Sequence, residues 1–289
     1  MTILALAVLP VAMALVVLLV HGFRTIAALL SMATLVAVGI LAATLGHGET
    51  VVVLGRSVGL STRGAAGLIF CSILLALMVL YTYGVSGDSR LFPLTLAGTG
   101  FFAGAMMVSN MAIAVPLLEA GVVMAVMLIP SGQVGSAMTG SRVLVLLVLS
   151  ASLLLVASWA IEGGAGDSDS AELVRMSSIA LAIAGGLLLG IVPLHVWLPP
   201  IFRHASPLAA VMLSVVLGVS VLVQFDNVTR SSIWSGGHEF FSTLLLGGGV
   251  ATAIIAGLIA IAQRAVSRTL AYAALADFGV VLVGRGIST

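Results

Sequence analysis

Two carboxylates and one imidazole stand inside apolar runs long enough to cross a bilayer, and each could handle protons. Glu119 lies in Val115-Pro-Leu-Leu-Glu-Ala-Gly121, Asp277 in Ala271-Tyr-Ala-Ala-Leu-Ala-Asp-Phe-Gly279, and His195 in Val192-Pro-Leu-His-Val-Trp-Leu-Pro-Pro200. An ionisable side chain at that depth costs about 3 kcal/mol or more, so each marks a candidate functional position. Pro116, less than one turn before Glu119, removes the hydrogen bond to the Ala112 carbonyl and bends its helix, which makes room for a polar pocket. Glu119 then reads either as a proton-exchanging carboxylate or as a neutral acid bonded to a helix carbonyl. Asp277 reads as a residue hydrogen-bonded to a neighbouring helix or as a relay step, and the two acids share a path only if their helices touch. Pro193, Pro199 and Pro200 cannot continue a regular helix. His195 therefore falls in a broken span of the kind that lines ion pathways in transporters. The other reading makes His195 a helix cap and Trp197 an interfacial anchor.

The elements that must position these groups follow from composition. Of 289 residues, 61% are hydrophobic and 7% charged, where a soluble domain carries about 25% charged. Mean hydropathy is +1.29. All eleven basic residues are Arg, and Lys is absent. A crossing needs about 20 apolar residues, and about ten stretches qualify: 3–20, 25–45, 65–84, 92–109, 111–130, 143–161, 175–198, 206–225, 242–263 and 266–285. The runs are continuous rather than alternating, and backbone groups in lipid must be satisfied within the segment, which predicts helices. The fold class is thus an all-α polytopic membrane protein. The first span lacks a basic leading region and is not expected to be a cleaved signal. The connections Gly46–Gly64, Glu162–Val174 and Asp226–Phe240 read as polar surface loops, with the acids Glu49, Glu162, Asp167, Asp169, Glu172, Asp226 and Glu239 on one face. Arg24, Arg90, Arg142, Arg203, Arg264 and Arg268 fall on the opposite face, against Arg56, Arg63, Arg175, Arg230 and Arg285, and this balance leans towards both termini outside.

Several chemistries are disfavoured. The single cysteine, Cys71, forbids an intrachain disulfide or a Cys-rich cluster. His21, His47, His204 and His238 sit near loops, so neither a haem pair nor a zinc site is expected. Gly185–Gly186, Gly190 and Gly247–Gly249 suit close helix approach rather than a nucleotide fingerprint. With no basic patch, a nucleic-acid partner is not expected. Neither a cofactor nor catalysis is expected within this chain.

Pro193-Leu-His-Val-Trp-Leu-Pro199 followed by Ala205-Ser-Pro-Leu-Ala-Ala-Val-Met-Leu-Ser214 resembles the P-[FL]-H-x-W-L-P … A-P-x-P-x-S-A-L-L-S-G signature of antiporter-like membrane subunits. These occur in proton-pumping NADH–quinone oxidoreductase (complex I), group 4 membrane-bound hydrogenases and Mrp-type antiporters. Asn110–Pro130, centred on Glu119, is similar to that family's fifth helix and its W-E-L. Gln263-Arg-Ala-Val-Ser-Arg-Thr-Leu-Ala-Tyr272, extended by Phe278-Gly279, is similar to Q-x-D-x-K-R-L-L-A-Y, and Leu54-Gly-Arg-Ser57 to L-G-R-x-L. The resemblance implies three leading helices over 1–91 and a five-helix antiporter-like repeat over 92–225 with a broken seventh helix. Two further helices over 226–289 would begin a second inverted repeat, about fourteen helices being usual in the family. It also implies an energy-converting membrane, prokaryotic plasma membrane or equivalent, and other membrane subunits as partners.

The departures fall on the relay that the resemblance implies. The seventh-helix lysine place is Leu188, the eighth-helix lysine aligns with Gly218, and the loop aspartate and lysine are Ala265 and Ser267, while Arg268 is kept. A Glu–Lys toggle at close range carries about 4 kcal/mol at an effective dielectric of 20, and Leu188 and Gly218 can neither hold nor pass a proton. The expectation is a mostly neutral Glu119, with His195, Asp277 and Arg268 as remnants of a path. The chain would then be a structural membrane subunit of a complex I-like or hydrogenase-like redox assembly. The alternative is a proton- or cation-conducting component that works with a separate partner, including in inorganic-carbon uptake.

Overall fold

The computed structural model describes residues 2–45, 50–53, 56–85, 88–130, 134–163, 170–229 and 238–288. The helices are α1 (Ala5–Leu19), α2 (Arg24–Thr44), α3 (Thr62–Val85), α4 (Leu91–Met107), α5 (Met111–Val126), α6 (Val134–Gly163), α7 (Ser170–Leu189), α8 (Leu198–His204), α9 (Pro207–Val211), α10 (Leu217–Thr229), α11 (His238–Ala262) and α12 (Val266–Ser288). Six stretches are long and apolar enough to cross a membrane: Arg24–Thr44, Thr62–Val85, Gly135–Glu162, Pro207–Thr229, Phe240–Ala262 and Val266–Ile287. The apolar helices Ala5–Leu19, Leu91–Met107, Met111–Val126 and Arg175–Leu189 are shorter. Each falls on one of the ten predicted spans, and the chain is an all-α polytopic membrane protein.

The differences have physical causes. The eighth span joins α9 to α10 through one π-helical turn at Met212–Val216, a local widening that sequence periodicity does not signal. Helix α6 begins at Val134 rather than near 143, because Ser136, Thr139 and Ser141 are compatible with helix although they end the apolar run. The connection read as the loop Gly46–Gly64 contains an antiparallel hairpin of β1 (Thr50–Val53) and β2 (Arg56–Gly59), with Val51 opposite Val58 and Val52 opposite Ser57. The β-branched run Thr50-Val-Val-Val53 accounts for it, and Val58 also bridges to Val108 beyond the end of α4. Asp226–Phe240 is not all loop either, since α10 runs on to Thr229 and α11 starts at His238. His47, Glu49, Leu54, Gly55, Asp167, Asp169 and Arg230 lie outside the described residues.

Contacts group the chain into two compact units, with boundaries inside α6 and α10. The first comprises Met1–Gly140 and Ala205–Gln224. There α1 packs on α2 and α4, α2 on α3, α4 on α5, and α9 on α3, around fully buried Leu6, Leu35, Leu68, Leu75, Phe92 and Phe102. The second comprises Ser141–His204 and Phe225–Thr289. Helices α11 and α12 pair along their length, α12 also meets α8, and α7 meets α11. Gly249 and Gly279 bring α11 and α12 backbone to backbone, since a Cβ on Gly249 would lie 2.8 Å from the Gly279 carbonyl oxygen. Phe225 and Phe241 meet edge to face with centroids 5.4 Å apart, and a Cβ on Gly185 would run into the Phe225 ring.

Candidate functional site at the broken seventh helix

Helix α7 stops at Leu189, earlier than the position of Pro193 predicts. Gly190 takes φ +67°, a left-handed conformation that costs glycine nothing. The Ile191 N–H then donates to the Gly186 carbonyl at 2.8 Å, the six-to-one bond of a Schellman stop. Glycine therefore ends the helix and Pro193 keeps it from continuing, whereas Pro199 and Pro200, expected to interrupt helix, fall in the first turn of α8, where a missing N–H costs nothing. The Val192–Pro193 peptide bond is cis. The Val192 N–H donates to Thr252 Oγ1 at 3.3 Å, and the Trp197 indole N–H to the Leu187 carbonyl at 2.7 Å. Trp197 is 2% exposed and so is a wedge inside its unit, not an interfacial anchor.

His195 occupies a 3-10 turn, His195–Trp197, between the break and α8. Its ring is half-buried and meets Tyr272 of α12 edge-on, with centroids 5.8 Å apart. Its Nδ1 is buried and has no hydrogen-bond partner among the described residues. The position where the resemblance implies a lysine, Leu188, is 4% exposed.

The other expected residues are spread over both units. Glu119 is half-buried on α5 below Pro116, and among the described residues neither a hydrogen bond nor an ion pair reaches it. Gly218 is buried one residue beyond the start of α10, next to the π turn. Asp277 is exposed on α12, and Arg268 is exposed in the first turn of that helix beside half-buried Ser267. Among the described residues Asp277 makes no hydrogen bond to a neighbouring helix. No side-chain hydrogen bond joins His195, Asp277 and Arg268 among the described residues.

The motif after the break has a structural task. Ser206 caps α9, accepting from the Ala209 N–H at 3.2 Å, with Pro207 at the first helical position as such caps favour. Its hydroxyl donates to the Leu128 carbonyl at 3.0 Å, just beyond the end of α5.

Sequence reasoning missed three buried polar residues at the far end of the eighth span. Gln224, 2% exposed, turns its amide to the Ala105 and Val108 carbonyls and so closes the end of α4. Asp226, assigned to a loop, sits in α10 with Oδ1 2.9 Å from the Arg285 guanidinium of α12. Arg285 also donates to Thr229 Oγ1 at 2.6 Å. The available signal was that Asp226 and Arg285 fall on the same membrane face with opposite charge.

Residues 111–289 match the NADH:quinone oxidoreductase/Mrp antiporter transmembrane family. The chain belongs to that family. Formate hydrogenlyase subunit 3 of Escherichia coli (strain K12) is 33% identical over 148 residues, 48% of this chain and 24% of its own length. NAD(P)H-quinone oxidoreductase chain 4 of Prochlorococcus marinus (strain MIT 9312) is 35% identical over 111 residues, 37% of this chain and 20% of its own length. The matched regions thus span about a quarter or less of these antiporter-family relatives. The fold is that of a chain in respiratory complex I from Thermus thermophilus, at TM-score 0.81, 19% identity, 98% of this chain and 64% of that one. A chain of the archaeal membrane-bound sulfane sulfur reductase follows at TM-score 0.77, 17% identity, 98% of this chain and 51% of that one.

Proposed function

We propose that this antiporter-family chain is a membrane subunit of a complex I-like or membrane-bound hydrogenase-like energy-converting assembly, and that it serves there as structure rather than as a lysine-relay pump. One observation carries the reading: the two positions that the resemblance sets at the relay lysines, Leu188 and Gly218, are a buried leucine and a buried glycine. Neither residue titrates, and water bridging the gap would not reproduce the charge alternation that drives a relay. Glu119, His195, Asp277 and Arg268 are left as polar positions with no acid–base partner among the described residues that could switch them. The partners are other membrane subunits and, through them, redox subunits; this chain itself has no catalytic part in the reading.

The test is purification from its native membrane in mild detergent. The chain is expected in fixed stoichiometry with redox subunits, and isolation as a lone stable monomer sinks the reading. The second reading, an ion conductor, draws on Glu119 below the Pro116 bend. It requires Glu119→Gln to abolish proton flux in proteoliposomes, whereas the structural reading expects no such loss.

A further inference from the structure

Between α6 and the segment that follows α7 lies a cavity of about 440 Å3, within the roughly 300–1,000 Å3 typical of sites for a small organic ligand. Beside Ser141 its walls are mostly apolar: Val145, Leu146, Leu187, Leu194 and Val196 line it, and Trp197 adds a ring whose only N–H is already given to Leu187. At one end stands Arg142, the residue just before the apolar run of α6. Val145 and Leu146 lie three and four residues further on, the same helix face one turn deeper. Arg142 is exposed and has no hydrogen-bond or carboxylate partner among the described residues. The cavity therefore sets one cation against a lining that is otherwise mostly apolar.

We infer that this cavity binds a single anionic phospholipid, with the phosphate on Arg142 and one acyl chain along Val145, Leu146 and Leu194. The polarity of the cavity is that of an amphiphile. Basic positions between membrane helices select anionic head groups, and no acid in the lining would meet the nitrogen of choline or ethanolamine. An apolar helix of a partner subunit would fill the same walls but leave the guanidinium unpaired.

The full chain is reconstituted in nanodiscs of equal phosphatidylglycerol and phosphatidylcholine, and the lipid retained after extraction is counted by native mass spectrometry. One phosphatidylglycerol per chain is expected, retained in preference to phosphatidylcholine. Arg142→Gln is expected to lower that preference roughly tenfold, the worth of one charge-assisted hydrogen bond, while Arg142→Lys keeps it. Val145→Trp fills the cavity and is expected to expel the lipid with Arg142 in place. Inorganic phosphate at matched concentration is expected not to displace it. Equal retention of the two lipids, an Arg142→Gln variant indistinguishable from the parent, displacement by inorganic phosphate, or a co-purified polypeptide in place of lipid would each overturn the assignment.

Discussion

The Asp226 carboxylate and the Arg285 guanidinium meet at 2.9 Å with side chains 3% and 12% exposed, tying the end of α10 to the end of α12. Thr229, one turn beyond Asp226, adds a hydroxyl acceptor to the same guanidinium. A charge pair so enclosed is balanced only while both members are present, because desolvation of each ion is offset by the other. Asp226→Ala is expected to destabilise the chain by about 3–5 kcal/mol, the usual cost of an uncompensated buried charge. Unfolding in detergent micelles checks this. The double variant Asp226→Leu with Arg285→Met is expected to cost less than the sum of the two single changes; additivity would show that the pair is not coupled.

Leu188 offers a direct test of the missing relay. Leu188→Lys places an ammonium group at a buried position, and is expected to cost roughly 3–5 kcal/mol unless a counter-charge reaches it. Leu188→Met, similar in volume, is expected to cost less than about 1.5 kcal/mol. Chemical denaturation of the two variants separates charge from size. Proton flux gained by the lysine variant without other changes would show that Leu188 was the sole interruption and that Gly218 does not block the path.

The break after α7 depends on Trp197 as much as on Gly190. Trp197→Phe keeps most of the wedge but strands the Leu187 carbonyl, an expected loss of about 1–3 kcal/mol. Trp197→Ala removes the ring itself and is expected to cost about 3–5 kcal/mol. Thermal unfolding of the pair tells the hydrogen bond from the packing, and a Trp197→Phe variant as stable as the parent would deny the bond a role.

Gly279 has no room for a side chain, since an added Cβ would stand 2.5 Å from the Ala253 nitrogen. Gly279→Val is expected to force α11 and α12 apart and to cost about 1–3 kcal/mol or more. Gly257, where an added Cβ meets nothing within 4 Å, is the control on α11: Gly257→Ala is expected to be neutral or slightly stabilising. Melting temperatures of the two report the contrast.

How much of this was legible beforehand depends on the kind of signal. Span existence was, because lipid demands unbroken apolar length and each predicted run contains an apolar helix. The interruption near His195 was legible from its prolines, but the stopping point was not: Gly190 acts through a backbone angle that its letter permits without requiring. Asp226 was misread because hydropathy places any carboxylate beyond the last apolar residue in solvent, and the guanidinium that lets it stay in the helix comes from a residue far along the chain. Gln224 escaped for a similar reason, its partners being carbonyls at the end of α4. The hairpin at Thr50–Gly59 was hidden inside a segment judged by its glycines rather than by its β-branched run. The lysine deficit, by contrast, was plain, because it is a matter of residue identity alone.

The meeting of α11 and α12 at Gly249 and Gly279 also has a mechanical consequence. With main chain against main chain, no layer of side chains is there to yield by changing rotamer. A push delivered at Arg285, less than two turns beyond Gly279, is therefore not absorbed locally: the two helices carry it as one stiff strut, and any rocking of the hairpin must pivot at its ends.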